Sequence, residues 1–188
     1  LAAMEVAHHL HKQLVRHAKK AMIDLGRGRS SDTVRRVFDL NLLLAGAVGG
    51  MGGQQCRSVA AHAVANGLTH LPGSERSYHG ELVAFGILAQ LILLDRALDE
   101  IEELIGFFID LGLPMTLERL LGHDGEPDLG PALEVALHPN STIHRLGIPL
   151  DDVTLGRAIL EADALARRRM LQLKLENALR PIDLSPST

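Results

Sequence analysis

The chain has 188 residues, of which 46% are apolar and 22% charged, with a formal net charge of −4. This balance suits a globular fold long enough for one sizeable core, and gives no electrostatic reason to bind nucleic acid or an anionic membrane. A single cysteine, Cys56, excludes an internal disulfide and fits a reducing, cytoplasmic setting.

No uncharged apolar run is long enough for a membrane span. Glu5 and the histidines His8, His9 and His11 interrupt any signal-peptide core. The first residue is Leu, and the chain enters a helical pattern at once, which reads as a truncated or processed start.

In chain order, residues 1–25 carry Met4, Ala7, Leu10, Leu14, Ala18 and Ile23 on an approximate 3.6-residue stripe, the mark of an amphipathic helix. Gly26 and Gly28 end it. Ser31 or Asp32 can cap a second helix, about 33–47, expected to bury Val34, Val37, Phe38, Leu40, Leu42 and Leu43. Gly46 to Gly53 holds five glycines. It could cradle phosphate, but the spacing fits neither of the usual phosphate-loop patterns, and a flexible interhelical turn is the plainer reading.

Helices are expected at 55–69, carrying His62, and at 79–95, with Glu81 in its first turn, where the helix dipole favours an anion. Pro72-Gly73-Ser74 makes the turn between them. Asp99 marks a further start, and Gly112 with Pro114 a stop. Short helices fit 115–121 and 131–138. A long last helix runs from Asp151 or Asp152 to about Leu179, with Pro181 as its stop. No stretch alternates with a period of two. The expected fold is therefore a mostly α, multi-helix domain over 1–180, with 181–188 as a disordered tail.

His62 and His79 stand 17 residues apart. Spacing alone leaves two readings open. They are either a core histidine and a helix-end polar residue, or two ligands of a metal site, since neutral imidazole suits zinc and iron(II).

The residues around them resemble a known family. AHAVANGLT at 61–69 followed by YHGELVAFGILAQL at 78–91 is similar to glycerol dehydrogenase, within the iron-containing (group III) alcohol dehydrogenases. Leu111-Gly112-Leu113-Pro114 with Thr116-Leu117, and Thr142-Ile143-His144, resemble further segments of that family, so that the likeness covers roughly Ala3 to Leu173. The resemblance implies that His62 and His79 bind a catalytic divalent metal, zinc rather than iron. The family's third ligand, an aspartate in a GIGD-like segment, has no counterpart here. The nucleotide-binding domain that would hold NAD is absent as well.

On this resemblance the chain is the metal-binding half of an NAD-dependent polyol or alcohol oxidoreductase. It would be inactive alone, would need the missing half or a chain supplying it, and would form homo-oligomers. Glu81, Asn66, Arg57 and His144 are candidates for orienting a ligand or lining the substrate cleft. Ala65 stands where glycerol dehydrogenases commonly have a histidine facing the cleft, which puts glycerol itself in question as the substrate. Arg57 could offer its charge to an anionic substrate, as in a related enzyme of the superfamily. A rival of another class is a stand-alone helical interaction or oligomerisation module.

Other constellations read more simply. His8, His9 and His11 fit an exposed helix face, and Cys56 lacks partners for a nucleophile site. Arg167-Arg168-Arg169 reads as a solvated charge run. Phe107, Phe108, Leu111 and Leu113 read as core.

Overall fold

A computed structural model describes residues 2–56 and 58–179. The residue Arg57, the tail 181–188 and the Pro181 stop lie outside them. Among the described residues there is no strand, and the expected mostly α architecture is what the chain adopts.

The first helix, α1, spans Ala2–Gly26. A second helical stretch runs from α2 (Asp32–Asp39) through a π-turn at Leu40–Leu44 into α3 (Ala45–Gly52). Ser31 caps α2, its hydroxyl accepting from the Val34 N–H at 3.3 Å. The corner between α1 and α2 is pinned by Asp24, a buried carboxylate that accepts from Lys20 Nζ at 2.8 Å and Ser31 Oγ at 2.6 Å.

Three expectations for this region need correction. Gly46 to Gly52 is helical, neither a turn nor a phosphate loop. Each glycine costs a helix about 1 kcal/mol, and packing of α3 against α1 offsets it. Phe38, Leu42 and Leu43 are exposed, because the α2–α3 stretch rests chiefly on α1 and the π-turn adds a residue that rotates the register. On α1 the buried stripe is Ala3, Ala18 and Ala21, while Met4 and Ile23 face outward.

The main core lies beyond. It is built from α4 (Ala60–Leu68), α5 (His79–Leu93), α6 (Leu98–Asp110), α7 (Leu117–Leu121), α8 (Gly130–Ala136) and α9 (Asp152–Ala178). Phe85, Leu88, Ile105, Met115, Leu120, Ile143, Leu155 and Ile159 are fully buried in it. Each side chain of this size contributes about 2–3 kcal/mol relative to exposure.

The α4 helix begins later than expected, at Ala60, behind a 3-10 turn at Gly53–Cys56. Side chains cap the starts of α7 and α9. Thr116 accepts from Arg119 N–H, and Asp151 from Thr154 N–H. Phe108 is buried, with Phe107 and Leu113 packed against the core.

The arginine run on α9 is not simply solvated. Arg167 reaches Asp163 at 2.7 Å and Glu118 at 2.8 Å, Arg168 pairs with Glu102, and Arg169 lies 3.6 Å from Glu176. The pairs with Glu118 and Glu102 tie α9 to α7 and α6, while those with Asp163 and Glu176 lie within α9. Across the other seam, Lys19 of α1 meets Asp110 of α6 at 2.6 Å. No helix among the described residues is long and apolar enough to cross a membrane.

Candidate metal centre

The α4 helix is covered almost all round. Ala60, Ala61, Ala63, Val64, Ala65, Gly67 and Leu68 are buried, and within the helix only His62 and Asn66 are not. An Ala- and Gly-rich sequence makes this possible, because small side chains let neighbouring backbones approach closely. A Cβ on Gly86 of α5 would stand 2.3 Å from the Ala61 carbonyl oxygen, and one on Gly67 would stand 2.3 Å from that of Ala132 on α8.

The start of α4 has no side-chain cap of its own. Other elements supply its partners. Gln90 Oε1 of α5 accepts from the Ala61 N–H at 3.0 Å. Thr142 Oγ1 donates to the Val59 carbonyl at 2.9 Å, and Arg145 Nη1 to that of Ser58 at 2.9 Å. The residue beside His62 is thus tied to the same helix that carries His79.

His79 is the first residue of α5. Its ring faces that of His62 with centroids 5.9 Å apart and planes at 54°. Burial holds the His62 pKa below its ordinary value of 6.5, and the neighbouring charge of His79 adds to the effect. Both causes favour neutral imidazole, the form that binds metals.

The pair fits a divalent cation on these grounds. A tetrahedral metal with nitrogen bonds of about 2 Å places the ring centroids of two ligands roughly 5 Å apart, close to the observed separation. Two imidazoles are not a full set. Among the described residues no group of three or more His, Cys, Asp or Glu side chains is poised to hold a metal. The exposed His8, His9 and His11 form no such group either.

The remaining candidates fall as follows. Glu81 accepts from the Tyr78 N–H at 2.8 Å, so its carboxylate closes the first turn of the helix that starts with His79. Asn66 lies one helical turn beyond His62 and is exposed. His144 Nε2 contacts the His138 carbonyl at 3.1 Å, on the 3-10 turn that braces α4. Ala65 is fully buried in the core and does not face a cleft, because the flanks of α4 are closed by α5 and α8.

Sequence reasoning did not single out Gln90, Arg145, His70 or His138, and named Thr142 only as part of the segment that ends in His144. For His70 a signal existed, since it follows His62 by eight residues and so shares its helix face. The others act across the fold, with nothing local to mark them.

No family model matches the chain. An uncharacterized oxidoreductase of Synechocystis is 41% identical over 167 residues, which is 85% of this chain and 42% of that protein. A glycerol dehydrogenase of Escherichia coli is 35% identical, covering 89% of this chain and 45% of that one. The structure of a probable glycerol dehydrogenase from Sinorhizobium meliloti superposes with a TM-score of 0.79 at 34% identity, over 88% of this chain and 46% of its own.

The chain matches the C-terminal part of the glycerol dehydrogenases, in sequence and in fold. It spans less than half the length of these relatives. In this glycerol-dehydrogenase-like chain, α4 and α5 are the elements that carry the two histidines, and the 3-10 turn Thr142–Leu146 is the brace beneath them.

Proposed function

We propose that this chain is the metal-binding half of an NAD-dependent oxidoreductase acting on a small polyol or alcohol. The observation that supports this best is the facing pair His62 and His79, aligned by the α4–α5 contact, with burial favouring the neutral form of His62. A bound divalent cation, zinc before iron, would supply Lewis-acid polarisation of the substrate hydroxyl.

The residues of this chain hold and orient. His62 and His79 donate nitrogen lone pairs and are not acid–base groups. Gln90 sets the angle between their helices, and Glu81 keeps the first turn of α5 closed around His79. The third ligand, an aspartate, and the site for NAD belong to a nucleotide-binding half. Without that half the chain binds metal weakly and turns nothing over.

A second reading, an oligomerisation module, draws on the exposed Phe38, Leu42 and Leu43 of the α2–α3 stretch. Zinc titration followed by calorimetry separates the two. The metal reading expects zinc uptake that His62→Ala and His79→Ala each abolish. Zinc uptake unchanged in the double variant would reject it and leave the module reading.

A further inference from the structure

Resting on the reading above, we infer that the groove between α4 and α8 is a polyol subsite. It takes the distal hydroxyls of a substrate longer than glycerol, a pentitol or hexitol, whose reacting end lies at His62 and His79.

The uncovered stripe of α4 begins with His62, continues with Asn66 and reaches Thr69 and His70 just past the helix end. Each step of four residues advances about 6 Å along the axis. A groove of about 590 Å³ opens on this stripe, with Asn66 and His70 on one side and Glu134 and His138 on the other. His70 also lines the adjoining hollow that contains His79, so one imidazole borders both spaces.

The partners of the two groove histidines fix their protons. His70 Nδ1 lies 3.1 Å from the Asn66 carbonyl oxygen, which can only accept. Nδ1 therefore carries a hydrogen, and in the neutral ring Nε2 is the acceptor. His138 Nδ1 accepts from the Asn140 N–H at 3.2 Å, so the neutral ring carries its hydrogen on Nε2 as a donor.

The groove thus offers a donor on one wall, an acceptor on the other and the Glu134 carboxylate between α8 and solvent. A hydroxyl both donates and accepts, and a chain of hydroxyls can satisfy all three. An apolar chain would leave them unpaired, and Glu134 would repel an anion. A three-carbon polyol engaged at His62 and His79 would have few hydroxyls left for the groove, whereas a five- or six-carbon polyol would have hydroxyls to extend toward His138.

Long-range proton–nitrogen imidazole spectra of the full chain, with and without zinc, test this. Xylitol and sorbitol should shift the His70 and His138 resonances saturably, with His70 protonated at Nδ1 and His138 at Nε2, while glycerol shifts them far less. His70→Phe and His138→Phe should each weaken the xylitol response at least about fivefold, and zinc shifts at His62 and His79 should persist. Equal responses to glycerol and xylitol, or a xylitol response that survives both substitutions, would overturn the subsite. A xylitol response with no zinc response at His62 and His79 would support the groove and overturn the metal reading.

Discussion

Gly86 sits against Ala61 so closely that a Cβ on it would stand 2.3 Å from the Ala61 carbonyl oxygen. This contact sets the distance between the helices that carry the two histidines. Backbone, not a flexible side chain, is what an added methyl would meet. Gly86→Ala should therefore cost about 3 kcal/mol. It should also push His79 away from His62, so that zinc affinity falls together with the urea midpoint. A variant with unchanged midpoint and unchanged zinc affinity would show that α4 and α5 are not held at this spacing.

Gln90 gives a more selective probe. Its Oε1 is the partner of the Ala61 N–H in a buried helix start. Gln90→Leu leaves that donor unpaired, at a cost of about 1–3 kcal/mol. Gln90→Glu keeps an acceptor, and its charge favours the N-terminal end of α4. Zinc affinity should fall in the first and recover in the second. Cobalt substitution offers a spectroscopic check, with band positions shifted in Gln90→Leu and restored in Gln90→Glu.

The sign of the pH dependence follows from His62. Its pKa is lowered in the folded chain, mainly by burial and then by His79. The unfolded chain therefore binds the proton more readily. The stability contributed by the neutral ring is present above about 6.5 and is lost as pH falls below that value toward the folded pKa. Urea midpoints measured from pH 7.5 to 5 should decline more steeply for the native chain than for His62→Ala. Zinc uptake should decline over the same range. Parallel stability profiles would remove His62 from this role.

Asp163 tests the seam between α7 and α9. One carboxylate oxygen accepts from the Leu117 N–H at 2.7 Å and the other from Arg167 Nε at 2.7 Å. Leu117 is buried, so Asp163→Ala strands its N–H and should cost about 2–3 kcal/mol. Asp163→Asn keeps an acceptor for Leu117 and should cost clearly less. Thermal melts of the two variants compare them directly, and equal losses would mean that the bond to Leu117 carries none of the difference.

Much of the fold was legible because its signals are local. Ser31 and Asp151 announce helix starts, and Gly26, Gly28 and Gly112 mark stops, since each acts on backbone groups within a turn. The glycine run misled for the same reason. A local rule reads Gly46 to Gly52 as a turn, whereas packing on α1 makes it helix. The apolar pattern misled at Phe38, Leu42 and Leu43, since periodicity shows that a face is apolar and not that anything covers it.

By itself the sequence determined a helical chain, the ends of most helices, and His62 and His79 as the pair to examine. Those follow from short-range chemistry and from the motif around the two residues. Only the tertiary structure decided that their rings face each other, that Gln90 and the Thr142–Leu146 turn hold the start of α4, and that His70 and His138 border one groove. These relationships join residues far apart in the chain through helix crossing and backbone contact. No local pattern encodes the distance at which two helices come to rest; the small residues at Ala61, Gly67 and Gly86 set it only once their partners are in place.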